Sequence, residues 1–196
     1  VVAWSSAESE FRPAVVELVE EVPESVVVDL ACGTGTLTWM LGRRFPRARV
    51  VGVDLDERAL GLARSKFAGG EGTIAFERAD ARALPFADAS VTCVVACLFF
   101  HHLAAAEKLR VLGEVRRVLR PGGQLVLADW GPPHSRFAAV RFLAVRLLDG
   151  MARTLDHTSD AFEWRLREAG FVGVEERHMF RAAVGTIRVW TARAGA

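Results

Sequence analysis

The chain has 196 residues, 51% of them apolar, and its 25 basic and 24 acidic side chains leave a formal net charge of +1. That length and apolar content suit one domain with a sizeable core and leave two independent domains cramped. The balanced charge excludes the global field that gathers nucleic acid or an anionic membrane.

The leading stretch, residues 8–22, places Phe11, Val15, Leu18, Val19 and Val22 on one helical stripe with glutamates opposite. This predicts an amphipathic helix within residues 1–24, ended by Pro23. SVVVDL (25–30) is a short β-branched run of buried-strand type, and residues 36–44 read as a helix that Pro46 stops. RVVGVDLD (49–56) and ERALGLARSKF (57–67) repeat the strand-helix pair. TIAFER (73–78) alternates like a strand, and ADARALPFADAS (79–90) is a polar connection.

VTCVVACLFF (91–100) is the most apolar strand and suits a sheet centre; its apolar run is far too short to span a membrane. A helix over 105–119 follows, then a turn at Pro121-Gly122-Gly123 and the strand QLVLADW (124–130). Strand-helix units in succession imply right-handed crossovers and a parallel sheet with helices on both faces. Residues 131–158 are longer than a crossover needs and lie after a strand's carboxyl end, where such sheets bind ligands. A helix from about 159 closes with REAGF, and VGVEERHMF (172–180) and GTIRVWTAR (185–193) are joined so briefly that they must pair antiparallel at one edge.

Cys32, Cys93 and Cys97 are too few for a disulfide framework and lack metal-ligand spacing, so a reducing compartment and no metal site are expected. The opening VVAWSSAESE lacks the basic start and apolar stretch of a signal peptide, which makes cytoplasm the expected location.

The stretch VDLACGTGTLTW (28–39) carries the chemistry. A small-residue loop between strand and helix lets a ligand approach the backbone, but Gly33 and Gly35 lack the third glycine of a dinucleotide fingerprint, and no lysine supplies a phosphate-cradling loop. Asp29, Asp54 and Asp80 fall at the ends of the first three strands. Carboxylates facing one crevice repel an anionic cofactor and suit a cationic one, which points to a sulfonium.

VDLACGTGTLT, VVGVDLD, FERADARALPFADASV, LFFHHL, EVRRVLRPGGQLVLAD and LREAGF occur in the order and spacing of the class I S-adenosylmethionine-dependent methyltransferases. The sequence most resembles their ubiquinone/menaquinone-type small-molecule branch. The resemblance implies a Rossmann-like three-layer α/β sandwich, one domain over 1–196, whose seven-stranded, mostly parallel sheet has an antiparallel last strand. It implies that Gly33 and Gly35 open the backbone to the methionine part of S-adenosyl-L-methionine, beside Asp29, Ala31 and Cys32. Asp54 would then accept both ribose hydroxyls, Leu55 pack on adenine, and Asp80 and the Ala81 N–H meet the adenine edge. Ala31 stands where the family usually has glycine. Each aspartate also has a plain structural use: Asp29 in a turn, and Asp54 as the cap of the helix starting near Glu57.

Methyl transfer is an in-line displacement, so alignment of nucleophile, methyl and sulfur dominates, and an acceptor that must lose a proton also needs a base. His101 and His102, just past the fourth strand, are the candidate catalytic residues, although a His-His pair can equally hold its loop by hydrogen bonds. Asp129, Trp130 and His134 follow the fifth strand and are candidates for the acceptor pocket. The apolar residues of 131–158 suggest a substrate lid, with Arg136, Arg141, Arg146 and Arg153 available to an acidic group; an ordinary amphipathic helix explains them as well. His157 and His178 lack motif context and are expected to be structural.

The expected partner is a small apolar or aromatic methyl acceptor. Nucleic acid fits poorly, because CLFFHHL lacks the Asn/Asp-Pro-Pro-aromatic motif of base-amine methyltransferases. The competing readings are a nicotinamide-dependent oxidoreductase and an S-adenosylmethionine-binding protein without catalysis, with RNA or a protein side chain as a lesser option.

Overall fold

The computed structural model describes residues 2–20, 25–67, 73–131, 161–182 and 185–195. The expected lid, its arginines, His134 and His157 lie outside them. The elements run α1 (Val2–Leu18), β1 (Val26–Leu30), α2 (Thr36–Arg44), β2 (Arg49–Asp54), α3 (Glu57–Lys66), β3 (Thr73–Arg78) and β4 (Val91–Cys97). They continue with α4 (Ala105–Val118), β5 (Leu119–Gly131), α5 (Ala161–Glu168), β6 (Phe171–Ala182) and β7 (Gly185–Ala194).

One 7-stranded sheet holds them in the order β3-β2-β1-β4-β5-β7-β6. β1 through β5 pair parallel, and β7 lies antiparallel between β5 and β6. The order reverses on either side of β1, so the crevice at a parallel sheet's switch point opens beyond the carboxyl ends of β1 and β4.

Alternation along the strands divides the core. Val28, Leu30, Val94, Leu125 and Leu127 face α4 and α5, whereas Val27, Val50, Val95 and Val126 face α1 and α2. Phe11 and Val15 are fully buried and dock α1 on the second face. Burial of each such side chain contributes about 1.5–3 kcal/mol, which holds a helix that Pro13 deprives of one internal hydrogen bond.

Boundaries differ from the sequence expectation in three places. α1 begins before residue 8 and ends at Leu18. β4 ends at Cys97 because Leu98 turns into the left-handed region at φ 53, and the apolar FF that follows enters a 3-10 turn over Phe100–His102. Pro121-Gly122-Gly123 belongs to β5, whose pairing with β4 shifts register between Val91 and Cys93 while Gly122 takes φ 71.

Gly52 lets β2 pass beneath the loop after β1. A Cβ there would lie 2.7 Å from Thr38 Oγ1, 2.9 Å from Cys32 Sγ and 2.9 Å from Phe76 Cδ1. Overpacking of this kind costs about 1–3 kcal/mol. Gly52→Ala is therefore expected to lower the urea midpoint at unchanged slope, and a midpoint equal to that of the parent chain would refute the close packing.

Candidate cofactor and active site

After β1 the backbone turns through positive φ at Ala31 (57), Gly33 (55) and Gly35 (75). Two hydrogen bonds to the end of β2 hold this turn: Cys32 N–H donates to the Val53 carbonyl at 3.0 Å, and Gly33 N–H donates to Asp54 Oδ2 at 2.8 Å. Asp54 Oδ1 accepts the Asp56 N–H at 2.9 Å. The cap of α3 is Asp56, which accepts from Arg58 N–H, so Asp54 is not spent on that helix.

The two loop glycines do different work. A Cβ on Gly33 would meet nothing within 4 Å, so its face is open to a ligand. A Cβ on Gly35 would lie 2.6 Å from Phe76 and 2.9 Å from Ala63, so this glycine admits close packing of α2 against α3 and β3. The contact is the kind that the third glycine of a dinucleotide loop provides.

The crevice has two lobes that meet at Ala31. The first, of about 180 Å³, is lined by Asp54, Leu55, Asp80, Ala81 and Arg82, with Phe99 and Leu103 opposite. The second, of about 240 Å³, is lined by Asp29, Cys32, Gly33, Cys97, Leu98 and Arg12. Leu55 is 56% exposed, an apolar side chain presented to the slot. Gly35, His101 and His102 line neither lobe.

The crevice carries less bare negative charge than the sequence suggests. Burial pushes the Asp29 carboxyl up to about 7, against the opposing pull of the Thr38 hydroxyl, which donates to Oδ2 at 2.6 Å, and of the Arg12 guanidinium. Asp80 is gripped by Arg82 through Nε and Nη2, at 2.9 and 2.7 Å, which holds its carboxyl below the usual range. Arg82 also reaches Glu107 at 3.5 Å. Arg12 and Arg82 were missed in the sequence; the only signal for Arg12 was a cation beside Phe11 on the apolar stripe of α1.

Burial, with the nearby carboxylates of Asp29 and Asp54 adding to it, pushes the Cys32 thiol far above its ordinary value. Cys97 is raised by burial in the same way. Both thiols stay protonated and inert, which suits a site facing an alkylating sulfonium. Among the described residues no cluster of His, Cys, Asp and Glu could hold a metal ion, and no helix is long and apolar enough to cross a membrane.

The histidines are joined to β5. His101 is 4% exposed, its Nδ1 is 2.8 Å from Asp129 Oδ1, and its ring centroid lies 3.8 Å from that of His102, which is exposed. Asp129 is fully buried and accepts the backbone N–H groups of His101 and Trp130; Trp130 is packed in the core. His178 lies on edge strand β6.

A family model described as a methyltransferase domain matches residues 27–123, which contain the whole crevice except Arg12. A ubiquinone/menaquinone biosynthesis C-methyltransferase of Desulfotalea psychrophila is 32% identical over 178 residues, covering 81% of this chain and 70% of that protein. The chain belongs to the class I S-adenosylmethionine-dependent methyltransferases, in the ubiquinone/menaquinone-type branch. A demethylmenaquinone methyltransferase of Thermus thermophilus is 41% identical over 127 residues, 65% of this chain. The chain spans 57% of the length of that relative, and 54% and 50% of similar relatives from Thermotoga maritima and Deinococcus radiodurans. The fold agrees: an S-adenosylmethionine-dependent methyltransferase from Methanosarcina mazei superposes with a TM-score of 0.75 at 21% identity, over 93% of this chain and 97% of that one.

Two expectations follow for this methyltransferase crevice. Asp54 ties down the loop and lines the first lobe; one carboxylate can accept two vicinal hydroxyls together, and hydrogen bonds to a charged group are worth about 1.5–3 kcal/mol. Asp54→Ala should weaken S-adenosylmethionine binding by about tenfold or more in calorimetric titration, and unchanged affinity would remove Asp54 from the site. For Asp29, the unfolded chain releases a proton near 3.8 that the folded chain keeps up to about 7. Its contribution to stability is therefore full below 3.8 and falls as pH rises to about 7. Asp29→Asn should gain stability relative to the parent chain across that interval in urea unfolding; a constant difference would show that Asp29 ionises normally.

Proposed function

We propose that this chain transfers a methyl group from S-adenosylmethionine to a small apolar or aromatic acceptor. The observation that carries the reading is the Asp54 carboxylate at the end of β2, fixed by the Gly33 amide and bordered by the exposed Leu55. One carboxylate can accept two vicinal hydroxyls together, and the apolar slot beyond it suits a purine ring. Asp80 and the Ala81 N–H then face the amine and ring nitrogen of adenine.

The second lobe suits an amino-acid zwitterion. Asp29 answers the ammonium group, Arg12 the carboxylate, and the bare Gly33 backbone leaves room between them. When bound, the cofactor supplies an electrophilic methyl on sulfur. The protein's part is alignment and exclusion of water, and positioning of this kind contributes about 7–11 kcal/mol to such displacements. His101 and His102, beyond β4, are the candidates to take a proton from an acceptor that must lose one, although neither lines the two lobes.

The names of the curated relatives favour a demethylated quinone in its reduced form as acceptor. Calorimetry with S-adenosylmethionine and with NAD tests the cofactor, and transfer of a labelled methyl to a panel of quinols and phenols tests the reaction. Binding of the sulfonium and not of NAD, with label in at least one ring acceptor, is the expected result. Binding of NAD alone would overturn the proposal.

A further inference from the structure

Asp80, two residues past β3, is already engaged by the chain itself. Arg82 folds back on it side-on: Nε lies 2.9 Å from Oδ1 and 3.2 Å from Oδ2, and Nη2 lies 2.7 Å from Oδ2. The Arg82 backbone N–H also donates to Oδ1, at 2.9 Å. Each carboxylate oxygen accepts about two hydrogen bonds. Oδ1 is therefore filled and Oδ2 nearly so. The guanidinium edge offers this carboxylate the same kind of N–H that an adenine amine brings, so the two cannot both be fully served.

The guanidinium has a second place to go. Its Nη1 lies 3.5 Å from Glu107 Oε1, well beyond the about 2.7–2.9 Å of a charge-assisted hydrogen bond. Glu107 Oε2 accepts the Ala104 N–H at 3.0 Å in the first turn of α4, which fixes the carboxylate and leaves Oε1 for Arg82. Asp80, Arg82 and Glu107 all line the first lobe, so the guanidinium crosses from its β3 side to its α4 side. The Arg82 side chain is 47% exposed, and an ion pair that water reaches breaks at little cost.

Resting on the adenine placement above, we infer that Arg82 competes with the adenine amine for Asp80 and passes to Glu107 when the purine enters. Arg82 then sets cofactor affinity without being a catalytic residue. Apparent affinity falls by the fraction of chains in which Asp80 is released. The factor is the same for S-adenosylmethionine and for the demethylated S-adenosylhomocysteine, because both carry the same amine. The device weakens capture of the donor and hastens departure of the spent cofactor.

Calorimetric titration of the full chain with S-adenosylhomocysteine tests this. Arg82→Gln should bind about two- to fivefold more tightly than the parent chain, the factor that an exposed ion pair commands. That gain should shrink as sodium chloride rises, because salt screens the competitor. With S-inosylhomocysteine, whose purine lacks the amine, Arg82→Gln should show no gain. Glu107→Gln keeps an oxygen for the Ala104 N–H but removes the charged alternative for Arg82. It should weaken binding in the parent chain and change nothing when added to Arg82→Gln. Equal or weaker binding by Arg82→Gln, an equal gain with the inosyl compound, or a Glu107→Gln effect that persists without Arg82 would overturn the inference. Those outcomes leave the methyltransferase reading standing, whereas failure of the parent chain to bind S-adenosylhomocysteine and S-adenosylmethionine would sink both.

Discussion

At the centre of the sheet the chain leaves β1 and must pass over the end of β2 without closing the space between them. The Gly33 N–H to Asp54 hydrogen bond, with Cys32 N–H on the Val53 carbonyl, makes that passage possible. It holds a turn through positive φ that Ala31 adopts at a cost of about 1–2 kcal/mol relative to a right-handed conformation. With the turn held, the open face of Gly33 borders the crevice, α2 starts from Gly35, and the next residue after Asp54 is an exposed Leu55 at the slot. Gly52 beneath and Gly35 beside the loop are glycines because no Cβ fits against Phe76. One carboxylate thus joins the shape of the loop to the chemistry of the site.

The aspartates around that turn are each tempered in a different way. Asp29 is held up by burial, Asp54 is bonded to backbone amides, and Asp80 is paired with Arg82. The crevice therefore offers directional acceptors in place of a diffuse negative field. Acceptors of this kind discriminate hydroxyls, amines and ammonium groups by geometry, which a field alone cannot do. The same burial that raises Asp29 keeps the Cys32 and Cys97 thiols protonated, so the softest nucleophiles in the crevice stay silent.

Much of the fold was legible because strand and helix periods are local. The runs at 26–30, 49–54 and 73–78 announced themselves by β-branching, and a link too short for a crossover disclosed the antiparallel β6–β7 pair. Errors came where composition and backbone conformation part ways. CLFF is uniformly apolar, yet Leu98 turns the chain out of the sheet; Pro121-Gly122-Gly123 has the composition of a turn, yet it lies within β5. That Asp54 and Asp80 border one crevice was readable from their places at strand ends. Arg12 was not, because a helix stripe does not say which lobe its edge will border, and Arg82 passed as part of a polar connection.

The sequence by itself determined the alternation of strands and helices, the ligand loop and the family, since each is written in spacing along the chain. Only the tertiary structure decided that Gly35 serves packing while the face of Gly33 is left open, and that Asp129 meets His101 across 28 positions of sequence. Pairings of that kind depend on which strands become neighbours and in what register. That is set by how the whole sheet buries its two faces, and no local period records it.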